Sequence, residues 1–193
     1  MNQETLINEN ALHAVIQKQI DQNSSQTKDT IVYINNEVDR IQERLSDLET
    51  DALKNYVEIY GIPINYVNKD DKRMHAVNKI ANKFQLSMDD VINISVNKNH
   101  IVLQVVNVKV ATQWQNRSRD LRLTNRDIGI DRDGQIKAYI AAPDDLKILL
   151  RKARDTLPNY KYIWIGKKGV MLRESNDSRI YKIKNQQDLS YFV

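Results

Sequence analysis

The sequence has no cysteine and only 5 glycines and 3 prolines in 193 residues. Without cysteine the chain has no disulfide framework, no thiolate metal ligand and no cysteine nucleophile, which suits a reducing compartment. No apolar run approaches the roughly 18 residues of a membrane-spanning helix, and the N-terminus from Met1 to Glu4 has no charged and apolar leader. These absences predict a chain without a signal peptide and without membrane insertion.

The scarcity of glycine and proline is greatest before Gly61, where neither residue occurs, so nothing interrupts a long helix. From Ile20 to Ala52, seam positions recur at strictly alternating intervals of four and three residues. This heptad pattern predicts a coiled coil, which we assign to an oligomerisation stalk over residues 1–53; its first 19 residues are expected to be helical but out of phase with the seam. The alternative is an amphipathic helix folded back on its own domain, which usually carries a wider apolar stripe. The predicted oligomerisation residues are Ile31, Ile34, Val38, Ile41, Arg44, Leu45, Leu48 and Glu49.

The residue types in the seam indicate the number of strands. β-Branched residues fill both core positions from Ile31 to Ile41, which favours three or four helices over two. Arg44 and Glu49 flank Leu45 and Leu48, so the arginine of one chain can reach the glutamate of the next while its stem covers the seam. This pattern resembles the Arg-hydrophobic-x-x-hydrophobic-Glu motif of three-stranded coiled coils. We therefore predict a parallel homotrimer.

Charge divides the chain into an acidic stalk and a basic head. Residues 1–53 carry 4 Lys/Arg against 10 Asp/Glu, a net −6, whereas residues 54–193 carry 25 against 15, a net +10. A basic head favours a polyanionic partner, and ordinary solubility charge is the alternative interpretation.

The pattern after the stalk predicts an α+β fold with two domains. In residues 54–132, a strand begins at Tyr56 and breaks at Gly61; helices are predicted over 72–85 and 109–123, and strands over 91–96, 100–106 and 127–131. This βαββαβ order is the ferredoxin-like plan of RNA-recognition motifs. Residues 133–193 are predicted to form a small basic domain, with a strand over 136–141, a helix over 144–155, strands over 160–165, 170–174 and 179–183, and a helix over 185–191.

Two basic stretches are candidates for binding single-stranded nucleic acid, because the planar guanidinium fork binds phosphate oxygens in pairs. The candidate residues are Arg117, Arg119, Arg122, Arg126, Arg132, Arg151, Lys152, Arg154, Lys167, Lys168, Arg173 and Arg179. Acidic residues dilute the first stretch, so internal salt bridges are the alternative there.

Aromatic residues give a weaker signal. The first predicted sheet offers Tyr60 beside Glu58 and His100 but no aromatic pair, which makes it a doubtful platform for base stacking. Tyr160, Tyr162 and Trp164 alternate and would share one face. That face either stacks bases or, as we favour, forms the core under the helix over 144–155.

Nothing in the sequence predicts an enzyme, a metal site or a cofactor. His13, His75 and His100 lie far apart and in no ligand spacing. The segment from Gly166 to Gly169 lacks the form of a phosphate-binding loop, and no Gly-x-Ser-x-Gly occurs.

Several segments resemble the baculovirus few-polyhedra protein family: YVEIYGIP, NKNHIVLQV, WQNRSRDLRL and the closing stretch from LLRKARD to NQQDL. The resemblance implies a viral protein associated with nucleocapsids, one that influences occlusion body formation and virion occlusion and the passage of envelope proteins to the nucleus. It implies a place in the host cytoplasm and nucleus and in the virion. The three-part plan is also similar to the first-open-reading-frame protein of LINE retrotransposons, which implies a trimer that binds single-stranded nucleic acid. A protein-interaction scaffold without nucleic-acid binding is the alternative.

Overall fold

The computed structural model describes residues 3–166 and 169–192, with side chains described from residue 12 onward. Helix α1 (Gln3–Leu53) is continuous over 51 residues, a length of about 75 Å. The chain divides into two compact units, with the division in sequence between Ser46 and Asp47. Within the described residues, no helix is both long enough and apolar enough to cross a membrane.

The second unit begins with a four-stranded sheet. Its strands are β1 (Tyr56–Tyr60), β2 (Val91–Asn97), β3 (His100–Val105) and β4 (Lys137–Ile140). Their spatial order is β2-β3-β1-β4, and every neighbouring pair is antiparallel. Helices α2 (Ile64–Val67) and α3 (Asp70–Phe84) connect β1 to β2, and α4 (Val108–Leu121) connects β3 to β4. The element order is therefore βαββαβ.

One face of this sheet packs against α3 and α4. Val57 and Ile59 of β1 are fully buried there, and Phe84 of α3 meets Trp114 of α4 edge to face at 5.7 Å between ring centroids. The buried Ser118 hydroxyl of α4 accepts a hydrogen bond from the Ala138 amide at 2.8 Å, which fixes β4 against the helix. The residues that alternate with these buried ones along each strand therefore lie on the outer face.

The fourth strand is not where the sequence pattern placed it. The segment predicted as a strand over 127–131 begins instead with a short 3-10 helix from Arg126 to Ile128. The Asp127 carboxylate accepts hydrogen bonds from both the amide and the hydroxyl of Thr124 at 2.7 Å, and Gly129 follows with φ +82°. This local turn bends the chain, and the sheet resumes at Lys137. The strand predicted to open the C-terminal domain thus pairs with β1, so this sheet extends beyond the predicted boundary at Arg132.

The C-terminal part packs one helix on a three-stranded sheet. Helix α5 (Asp144–Thr156) is followed by β5 (Tyr162–Gly166), β6 (Gly169–Arg173) and β7 (Tyr181–Ile183), in the order β5-β6-β7, and by a 3-10 helix from Gln187 to Tyr191. Leu149 and Ala153 of α5 pack with Val170, Leu172 and Ile183 in a separate core.

The position of the aromatic residues in β5 corrects a second prediction. Ile163 and Ile165 pack against the C-terminal core, so Tyr162 and Trp164 lie on the opposite face of the strand. Tyr160 precedes the strand and does pack in the core, with its ring 6.1 Å from that of Phe192. The interpretation as core is therefore confirmed for Tyr160 and wrong for Tyr162 and Trp164.

Candidate nucleic-acid interface

The predicted seam of α1 is exposed along its length. Ile34 and Leu48 leave 51% and 67% of their surface open, and Ile31, Val38, Ile41 and Leu45 are similarly exposed. A row of large exposed apolar side chains on one helix is typical of an interaction surface.

The first arginine stretch contains both paired and unpaired cations. Arg119 contacts Asp120 at 3.3 Å and Arg126 contacts Asp133 at 3.1 Å, as the salt-bridge alternative predicts. Arg117 on α4, Arg122 just after it and Arg132 are exposed, and none of these three has an ion-pair partner among the described residues. These three side chains are the ones that remain available to a polyanion.

The second basic stretch contributes partly to the C-terminal fold itself. Lys152 donates to the Gln186 side-chain oxygen at 2.7 Å and Arg154 to the Ile163 carbonyl at 3.1 Å. The guanidinium of Arg173 lies 5.0 Å from the Tyr162 ring centroid and that of Arg179 lies 5.6 Å from the Tyr181 ring centroid. Arg151 is exposed, whereas Lys167 and Lys168 lie outside the described residues.

The outer face of the four-stranded sheet holds an aromatic cluster that sequence reasoning missed. Tyr60 stacks on His100 with ring centroids 4.4 Å apart and an interplanar angle of 24°. Tyr139 of β4 lies 6.2 Å from Tyr60. The prediction of no aromatic pair concerned the two central strands, β1 and β3, and Tyr139 joins the cluster from β4, which belongs to this sheet and not to the C-terminal domain. The alternation over residues 136–141 predicted the strand but not the sheet that it joins, so it could not reveal the cluster.

A buried carboxylate lies at the centre of that face. Glu58, 5% exposed, accepts hydrogen bonds from the Tyr60 hydroxyl at 2.8 Å and from the Lys147 ammonium of α5 at 2.7 Å. The His100 Nε2 atom lies 3.6 Å from the same carboxylate. Burial, and then the hydrogen bond from the Tyr60 hydroxyl to Glu58, raise the pKa of Tyr60 far above its usual value. Burial lowers the pKa of His100 below 6.5, although Glu58 acts in the opposite direction. The network therefore consists of a carboxylate, an ammonium, a neutral imidazole and a neutral phenol.

A cleft of about 380 Å³ adjoins the same end of the sheet. Tyr60, Gly61, Asn125 and Arg132 contribute to its lining. The buried Asn125 donates to the Gly61 carbonyl at 2.9 Å, and its side-chain oxygen has no hydrogen-bond partner among the described residues. Gly61, with φ +89°, is required here because a Cβ would lie 2.1 Å from the Gln135 carbonyl oxygen. The cleft thus has a guanidinium and an aromatic ring in its lining.

These features define a class of protein in which a long helix with an exposed apolar seam precedes an α+β head that presents cations and aromatic rings. The family model "Baculovirus FP protein domain 1" matches residues 54–140, and "Baculovirus FP protein domain 2" matches residues 143–193. The chain belongs to the baculovirus FP protein family.

Curated relatives match almost the whole chain. It is 39% identical over 189 residues to "Protein FP25" of Autographa californica nuclear polyhedrosis virus, an alignment that covers 97% of this chain and 84% of that protein. It is 36% identical to the FP protein of Orgyia pseudotsugata multicapsid polyhedrosis virus, covering 97% and 85%. The FP protein of Lymantria dispar multicapsid nuclear polyhedrosis virus is 34% identical, with 97% and 83% covered.

Proposed function

We propose that this chain is a non-enzymatic viral protein of the few-polyhedra type that forms a parallel homotrimer through α1. Its basic heads bind single-stranded nucleic acid or nucleocapsid and thereby affect occlusion body formation and virion occlusion. It acts in the host cytoplasm and nucleus and in the virion, with viral nucleocapsid and envelope proteins as further partners. None of the matches given above supports the resemblance to LINE proteins. The proposed trimer and its nucleic-acid binding are therefore argued from the residues of this chain.

The observation that carries the binding proposal is the set of exposed, unpaired arginines Arg117, Arg122 and Arg132. Unpaired guanidinium groups keep their full attraction for phosphate, whereas the charges of Arg119 and Arg126 are partly offset by Asp120 and Asp133. Arg132 lines the cleft beside the Tyr60 ring. The sheet order β2-β3-β1-β4 supports an RNA-recognition-like arrangement.

The second candidate function is a protein-interaction scaffold without nucleic-acid binding. The observation that favours it is Glu58, a carboxylate at the centre of the sheet face where an RNA-recognition motif would place bases. His100 beside it is only 6% exposed and presents little ring surface.

Titration of the full chain with a fluorescein-labelled oligothymidylate at several salt concentrations distinguishes the two functions. The variant R117A/R132A removes two unpaired cations, and the control R119A/R126A removes the same charge from paired ones. We expect R117A/R132A to bind more weakly and its slope of log K against log salt to become shallower by roughly 0.7 for each lost phosphate contact on single strands. The control should bind nearly as the unmodified protein does. No binding of the unmodified protein at low salt would favour the scaffold, whereas equal losses in both variants would show that the unpaired arginines are not the preferred phosphate contacts.

A further inference from the structure

The outer face of the C-terminal sheet combines aromatic and basic side chains and takes no part in the core. Antiparallel register places Tyr162 opposite Arg173, Trp164 opposite Met171, and Met171 opposite Lys182. Side chains directly opposite one another share a face. We call this set of five residues the aromatic–basic face.

Cations hold the tyrosine of this face in place. The Arg173 guanidinium and the Lys161 ammonium lie 5.0 and 5.5 Å from the Tyr162 ring centroid, within cation–π range. The Tyr162 hydroxyl contacts the side-chain oxygen of Asn176 in the turn that follows β6. Tyr162 is therefore fixed, with positive charge on its ring.

Trp164 is the exposed ring of the face. It leaves 36% of its surface open, and within the described residues it has no aromatic or cationic partner. The indole ring therefore offers a flat surface beside the apolar Met171 side chain.

The charge on this face is positive and uncompensated. Arg173 and Lys182 have no carboxylate within ion-pair distance in the described part of the chain. Glu174, next in sequence to Arg173, acts electrostatically on the Tyr160 hydroxyl, and Tyr160 packs on the C-terminal core side of the sheet. A bound polyanion would therefore meet two cations on this face that have no ion-pair partner among the described residues.

We propose that the aromatic–basic face binds single-stranded nucleic acid, with a base stacked on Trp164 and the flanking phosphates held by Arg173 and Lys182. Flat rings among cations suit single strands, because every unpaired base has a face to stack and a phosphate nearby. A duplex keeps its base faces within its own stack and cannot use the indole in this way. This inference depends on the proposed nucleic-acid binding of the head and specifies its base-stacking surface.

The test uses the two tryptophans of the full chain. Trp114 is fully buried, so a change of tryptophan fluorescence on adding oligothymidylate reports Trp164. We expect quenching in the unmodified protein and none in W164F. In a parallel anisotropy titration, W164A should lower affinity about tenfold, in the range expected for losing one stacked base. Y191A removes a tyrosine that is 83% exposed and lies outside the face, and should leave affinity unchanged.

Different results overturn different claims. If the labelled oligonucleotide binds while tryptophan fluorescence stays constant and W164A binds as the unmodified protein does, the stacking surface is wrong and the proposed function stands. Quenching by a hairpin duplex equal to that by the single strand would also overturn the inference. If the unmodified protein binds no oligonucleotide at low salt, both the inference and the proposed function fail. Thermal unfolding followed by circular dichroism verifies that each variant is folded.

Discussion

Lys147 of α5 donates a hydrogen bond to Glu58 of β1 at 2.7 Å, which joins the helix of the C-terminal core to the outer face of the four-stranded sheet. The Glu58 side chain is 7% exposed and that of Lys147 is 28% exposed. The pair lies beside the stacked rings of Tyr60 and His100. An ammonium thus balances the charge of a buried carboxylate whose other hydrogen-bond donor, the Tyr60 hydroxyl, is uncharged.

Removing the ammonium should destabilise the protein. We expect K147M to lower the free energy of unfolding by about 1–3 kcal/mol, because a buried carboxylate loses a charged hydrogen-bond donor. Urea denaturation followed by circular dichroism measures the change. K152M is the matched control, because Lys152 bonds an exposed amide, and it should cost less than about 0.5 kcal/mol. A K147M variant as stable as K152M would show that Glu58 does not depend on its partner.

The free energy of unfolding should decrease as the pH falls, and His100 is the residue responsible. Burial lowers the pKa of His100 in the folded state, so the unfolded chain binds more protons below the ordinary value near 6.5. The contribution of neutral His100 is therefore present above pH 6.5 and is lost as the pH falls below it. Glu58, Lys147 and Asp144 are the charged groups that act on His100.

Denaturation curves between pH 7.5 and pH 5 test this expectation. H100F keeps a ring against Tyr60 and cannot titrate, so its unfolding free energy should vary less with pH than that of the unmodified protein. H75Q, at an exposed histidine, serves as control and should keep the original slope. If the unfolding free energy of H100F varies with pH as steeply as that of the unmodified protein, His100 is not the cause of the pH dependence.

The apolar seam should control the number of chains in a particle. Light scattering of the full protein should give a mass of about three chains, as β-branched core positions favour. I34N places an amide in the seam and should lower the mass toward one chain at micromolar concentration. V32N makes a similar change at a position that is 58% exposed and outside the seam, and should leave the mass unchanged. A two-chain mass for the unmodified protein would contradict the trimer.

The sequence by itself determined those features that depend on local periodicity. The absence of glycine and proline before Gly61 and the heptad spacing from Ile20 to Ala52 predicted the long helix, and α1 is continuous over Gln3–Leu53. The helical stripe around Trp114 and the alternation through Ile101 predicted α4 and β3 to within a few residues. In these segments the apolar residues recur with the same period as the backbone of the helix or strand, so the sequence pattern alone identifies the element.

Only the tertiary structure decided which strand completes the first sheet and which face of β5 is buried. The 127–131 segment has the apolar residues of a strand, but hydrogen bonds from Thr124 to Asp127 bend it into a turn. The strand ending at Ile140 alternates equally well in either domain, and its pairing with β1 brings Tyr139 near Tyr60. Alternation likewise gives two faces to β5 but does not say which meets the helix. Pairing and burial depend on contacts between residues distant in sequence, which periodicity does not record.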